Sequence, residues 1–259
     1  MKRNAISRII IYSIVAFVLI GILVVSLAPE FFMYHFGDHT VTDVPAEGHV
    51  PATVRKLEID WAAGSVTIRR GTDDRIHFYE SAPDGCWYQM DYEIDEDTLS
   101  IMYSITPIGI GFGNHSMPKK DLVIQVPQDW TCEELKLDGA ALNIHIENLT
   151  VENLDIDGAA CNIAFGGSVD QVEIDGASCD ITLYCNNEIS VINIDGASCS
   201  LNLNLPKDCG FALSMDGLSC KLETELSAVT AGDTTIYGDG HCMIDVDGIS
   251  CYVTIREIE

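Results

Sequence analysis

Positive charge is what this chain has least of: 14 Lys and Arg stand against 40 Asp and Glu in 259 residues, a formal net charge of −26. Such a surface repels nucleic acid and anionic headgroups over roughly a Debye length, ~8 to 10 Å, so neither is an expected partner. Divalent cations and cationic peptides are better electrostatic matches. Catalytic signatures are missing too. The sequence has no CxxC, no HExxH and no Ser-centred elbow, and its seven His residues are scattered without a metal-ligand spacing. Gly109, Gly111 and Gly113 lack the Lys-Ser/Thr that completes a phosphate loop. A glycan-active β-helix enzyme would need cations on an outer face, and the outward positions hold almost none. The expectation is therefore no enzyme and no cofactor. Helical periodicity is also absent after Ala28, which excludes a helical domain there.

What the N-terminus does have is twenty uncharged residues, Ile9 to Ala28, rich in Ile, Val and Leu. At about 1.5 Å per residue a helix of that length spans the roughly 30 Å hydrocarbon layer. A cleaved secretory signal is the alternative, but the run exceeds the usual ~7 to 15 apolar residues and Pro29 would follow the cut. Lys2, Arg3 and Arg8 precede the run, whereas Glu30, Asp38 and Asp43 follow it with no Lys or Arg before Arg55. This asymmetry predicts a single-pass cell-membrane protein with residues 1–8 cytoplasmic, 9–28 in the membrane, 29–53 a stalk, and 54–259 an extracellular β-repeat domain.

That domain repeats itself. Six segments read apolar-x-apolar-Asp-Gly-small-small-Cys-x-apolar-x-apolar, or nearly so: they start at Leu135, Leu154, Val172, Ile192, Leu213 and Ile244. Their Asp residues, Asp138, Asp157, Asp175, Asp195, Asp216 and Asp247, are spaced 19, 18, 20, 21 and 31 apart. LEIDWAAGSVTI, from Leu57, is a degenerate earlier copy with Asp60 at the Asp position and Gly64 at the Cys position. A period of about twenty residues is too short to bury its own core, so each copy must stack on its neighbours. Asp-Gly is also a hairpin signal. As a hairpin loop, Asp157-Gly158 would set Ile163 against Glu152, and the next copies would oppose Ile181 to Asp170 and Leu203 to Glu188. A bend followed by stacking sets like over like instead. The expected fold is an all-β solenoid, with Val172, Ile174, Cys179, Ile181 and Leu183 inward in the third copy and Glu173, Asp180 and Thr182 outward.

Stacking brings equivalent residues into files. Cys161, Cys179, Cys199, Cys220 and Cys251 form one, beside Gly158, Gly176, Gly196, Gly217 and Gly248. Successive Cα atoms about 4.8 Å apart lie inside the disulfide window of roughly 4.4 to 6.8 Å, so small apolar filling, bridging and metal or redox chemistry all stay open. A straight file cannot wrap a tetrahedral metal. Cys86, Cys132, Cys185, Cys209 and Cys242 fall in loop-like settings outside the cassette. The Asp file requires local satisfaction by turn N–H groups, or calcium between neighbours such as Asp157, Asp175, Asp195 and Asp216, although no GGxGxDxUx calcium repeat occurs.

The pieces LEIDWAAGSVTIRRG, DLVIQVPQDW, the serial cassettes and IYGDGHCMIDVDGISCYVTI together resemble the bacterial putative-adhesin family of β-strand-repeat proteins, which includes Lia-type envelope proteins. The resemblance covers nearly all of residues 54 to 258. It implies a right-handed β-helix-like domain of ~20-residue coils at the cell envelope. Some members are tied to envelope-stress or antimicrobial-peptide responses, which implies a cationic peptide or an envelope protein as partner. It carries over no catalytic residues. Where the family has Gly this chain has Cys, except at Gly64.

Overall fold

The computed structural model describes residues 47–83, 89–104, 118–207 and 209–258. The apolar run at 9–28, the glycines of 109–113 and Cys86 lie outside the described residues. Among the described residues there is no helix, and none long and apolar enough to cross a membrane.

All the described strands belong to one 13-stranded sheet. Strands β2 (Lys56–Asp60) and β3 (Ala63–Arg70) are the two arms of the degenerate copy. They pair in parallel with the arms of the first full copy inside β8 (Cys132–Cys185), Asp60 beside Asp138 and Gly64 beside Leu142. The long β8 carries three cassettes, and its third stacks in parallel register on β9 (Val191–Pro206), Asp175 beside Asp195 and Cys179 beside Cys199. The expected bend-and-stack register therefore replaces the hairpin. Its physical cause is the period of two in each arm, which keeps Val172, Ile174, Cys179, Ile181 and Leu183 buried while Glu173 and Asp180 are exposed.

Two further parallel strands flank β2 and β3 on the side away from β8. β6 (Thr98–Met102) pairs in parallel with β2, and β7 (Lys120–Val126) with β3, so Lys120 occupies the place that Cys holds in later copies. Antiparallel strands then close this end: β5 (Asp91–Asp95) on β6, and β4 (Arg75–Ser81) followed by β1 (Glu47–Pro51) on β7. β1 falls within the range 29–53 expected as a stalk. Glu47 to Pro51 is a strand, because Val50 is buried and Gly48 lets the backbone pass over the Phe78 ring, where a Cβ would come within 2.4 Å.

The far end departs from chain order. β13 (Cys242–Ile258) lies between β9 and β10 (Phe211–Thr224), in parallel register with both, so the sixth copy sits between the fourth and the fifth. The longer 31-residue spacing makes this possible. The intervening chain forms β11 (Val229–Ala231) and β12 (Thr234–Tyr237), and β12 runs antiparallel along residues 211–214 of β10 before the chain turns back inside.

Candidate functional site: the carboxylate and thiol files at the bend

In each full cassette the glycine sits directly under the carbonyl of its stacked neighbour. A Cβ on Gly176 would lie 2.6 Å from the Gly158 carbonyl oxygen, and on Gly196 2.3 Å from that of Gly176. The same Cβ would meet the sulfur of its own cassette, Cys179 Sγ at 2.2 Å and Cys199 Sγ at 2.4 Å. The Gly-x-x-Cys spacing is thus one packing device: the sulfur fills the space that the missing side chain leaves inside the bend. The order of the files is 161, 179, 199, 251, 220 for the thiols and 60, 138, 157, 175, 195, 247, 216 for the carboxylates. Asp195 and Asp216, expected as neighbours, are separated by Asp247. Among the described residues no group of three or more His, Cys, Asp and Glu has metal-site geometry.

The described cysteines are free thiols. Cys161, Cys179, Cys199 and Cys251 are buried and Cys220 is half-buried. Cys179 stands between two hydrogen-bonded neighbours, Cys161 and Cys199, and these bonds hold its thiol well below the ordinary range. The same bonds, together with burial, push Cys161 and Cys199 up. Burial raises Cys251 to about 12, with Cys220 adding to it. The cysteines expected in loops are also core residues: Cys132, Cys185, Cys209 and Cys242 are all buried, and burial drives Cys132, Cys185 and Cys242 up to about 12.

Partial burial raises the carboxyls of Asp60, Asp138, Asp175 and Asp247. Repulsion adds to it: Asp195 and Glu173 act on Asp175, Asp195 and Asp216 on Asp247, and Asp157 and Asp60 on Asp138, where the attraction of Lys136 works against them. Asp247 accepts a compensating backbone N–H from Gly248. A carboxyl raised in the folded state costs stability when ionised, and the cost disappears as pH falls through the folded value toward the unfolded value of about 3.9. Asp175→Asn should therefore melt at a higher temperature than the parent protein at pH 7 and low salt. Thermal melts should show that gap closing as pH falls toward about 4 or as salt rises.

On the Cys side of the bend an open groove of about 520 Å³ runs up the stack. Cys161, Cys179 and Cys199 line it, with Ser178, Ser198 and Asp180 beside them. A second polar feature escaped the sequence reading. Lys120 is 0% exposed and pairs with Glu80, 1% exposed, its Nζ 3.2 Å from Oε1. Nζ also donates to the Ser104 carbonyl at 2.9 Å and lies 4.6 Å from the Tyr103 ring centre. Strand alternation was the available signal, since Lys120 shares a face with Leu122, Ile124 and Val126, and Glu80 with Ile76 and Phe78.

No family model matches this chain, and no curated protein matches it. Among solved structures it is similar to a protein described as a putative cell adhesion protein from Clostridium sporogenes, with 15% identity and a TM-score of 0.54, over 83% of this chain and 100% of that one. A protein described as a putative adhesin from Bacteroides fragilis gives 8% identity and a TM-score of 0.43, over 83% of this chain and 99% of the other. At this identity the Clostridium sporogenes likeness shows one thing, that the two chains share an all-β fold.

Proposed function

We propose that this chain is a single-pass, membrane-anchored β-solenoid of the cell envelope that serves as an adhesin-like binding or structural module, with its N-terminus cytoplasmic and its repeats outside. One observation carries the binding reading. The bend aligns Asp60, Asp138, Asp157, Asp175, Asp195, Asp247 and Asp216 at the spacing of adjacent strands, about 4.8 Å, with Glu58, Asp155, Glu173 and Asp245 two positions before four of them. A rigid ladder of like charge suits an extended cationic partner, because each added cationic group meets another carboxylate without reorganising the protein. The described cell adhesion protein of the same fold supports a surface role, and the apolar run at 9–28 supports the anchor.

The ladder also favours a second reading, an envelope-stress modulator that senses cationic antimicrobial peptides or engages a membrane partner through this face. The full-length chain, solubilised in mild detergent, should bind a Lys- and Arg-rich peptide with an affinity that falls steeply as salt rises. Replacing Asp138, Asp157, Asp175 and Asp195 together by Asn should weaken it further. Absent or salt-insensitive binding overturns the peptide reading. Release of the chain from membranes by an alkaline wash overturns the anchor, and turnover of a glycan panel overturns the non-catalytic assignment.

A further inference from the structure

The thiol file has a geometry that neither disulfide bridging nor tetrahedral metal binding uses. Its cysteines are stacked one per strand in parallel register, with backbones about 4.8 Å apart along the sheet's hydrogen-bonding direction. Cys179 lies beside Cys199 in register, and both line one groove with Cys161. Thiolates select soft metals, and among these a monovalent d10 ion accepts two ligands in a straight line, whereas zinc demands four around a tetrahedron. We propose that the file Cys161–Cys179–Cys199–Cys251–Cys220 is a binding site for soft monovalent cations, the cuprous ion or silver, each held between the sulfurs of two successive repeats.

The step is an exchange of cations without redox change. A metal ion replaces the protons of the two thiols that it joins: two S–H bonds break, two S–metal bonds form, and two protons leave to solvent. A thiolate cannot form two metal bonds in opposite directions along the stack, so filled gaps share no sulfur and each S–metal–S unit carries one negative charge. Access is provided by the groove, onto which Cys161, Cys179 and Cys199 open between Ser178, Ser198 and Asp180. The neighbouring carboxylates favour the entry of a cation: Asp157 acts on Cys161 and Asp247 on Cys251. Lys119 is the cationic residue on the groove wall. The bend therefore supplies an acidic approach and a soft, water-poor interior, with Cys185, Cys209 and Cys242 forming a separate buried group.

The file contains four gaps, 161–179, 179–199, 199–251 and 251–220, of which two that share no thiol are filled at once, so the five thiols hold two ions and the test counts them. Anaerobic, reduced full-length protein in detergent is titrated with silver(I), and in parallel with copper(I) against a competing chelator. Cys179→Ser removes the first two gaps, since Cys161 and Cys199 are then about 9.6 Å apart and cannot share one ion. Cys251→Ser removes the other two, and the double variant removes all four. Stoichiometry should fall by one ion in each single variant and by two in the double variant, while Cys185→Ser leaves it unchanged. Affinity at a lost gap should drop by more than about 100-fold, beyond what loss of an outer-shell partner produces. X-ray absorption on the wild-type protein is independent of whether the variants fold, and should show two sulfur neighbours per ion. Uptake unchanged in the double variant, three or four ligands at the metal, or displacement by excess zinc(II) overturns the proposal.

Discussion

Lys120→Met should lower the unfolding free energy by about 3 to 5 kcal/mol, the range for removing one partner of a buried ion pair. The cause is the group left behind. Glu80 stays in a 1% exposed site with no cation, and the Ser104 carbonyl loses the donor at 2.9 Å. The exposed pair Lys221–Glu223, at 3.7 Å, gives the contrast: Lys221→Met there should leave the unfolding midpoint nearly unchanged, because water screens both charges. Joining Lys120→Met to Glu80→Leu should recover most of the loss, since two apolar side chains remove both desolvation penalties together. Denaturant unfolding of the four proteins measures each step. A Lys120→Met protein as stable as the parent would mean that water reaches Glu80. The Trp61 indole, which donates to the Lys120 backbone carbonyl at 3.0 Å, should keep its environment in every variant, because that contact does not use the side chain.

The same pair marks the limit of what the amino-acid pattern tells about this fold. Within the cassettes a period of two decides the inward face, so the buried set of the third copy follows from its letters alone. Register follows as well, because sliding Asp175 off Asp195 by one residue would turn Ile174 and Ile181 to solvent. Stacking order does not follow. The fifth and sixth copies alternate in the same way, with Leu213, Met215, Cys220 and Leu222 in one matching Ile244, Val246, Cys251 and Val253 in the other, so the alternation is indifferent to which of them lies on β9. The long spacer and the antiparallel β12 decide it, and spacer length is compatible with several paths. Lys120 and Glu80 alternate correctly for core positions, yet charge argues for the surface. Only their mutual contact, across 40 residues of sequence, resolves the conflict. Burial of Cys132, Cys185 and Cys242 was hidden for a related reason: they stand where strands enter or leave corners, where no period announces which way a side chain faces. At the bend the residues were legible, but their shared purpose was not. Gly196 and Cys199 read as two files in sequence and as one steric unit in space.

That steric unit makes Gly196→Val the most damaging single change expected in the stack. Its Cβ would lie 2.3 Å from the Gly176 carbonyl oxygen and 2.4 Å from Cys199 Sγ, and the γ-methyls would add to both overlaps. Sulfur can rotate away, but the carbonyl belongs to the parallel ladder that joins β8 to β9 and moves only if those strands part. The expected loss is about 4 kcal/mol or more, at the extreme of single substitutions. Two other glycines separate steric exclusion from backbone preference. Gly232→Ala has nothing within 4 Å of its Cβ but a φ of +70°, so it should cost the ~1 to 2 kcal/mol of a left-handed residue. Gly166→Ala, with its nearest atom at an ordinary 3.7 Å, should be close to neutral. Pairing Gly196→Ala with Cys199→Gly relieves the contact with sulfur and leaves the one with the carbonyl. The double variant should therefore remain clearly less stable than Cys199→Gly alone. If the two unfold at the same denaturant concentration, the close approach of the backbones at this bend is not what holds the repeats in register.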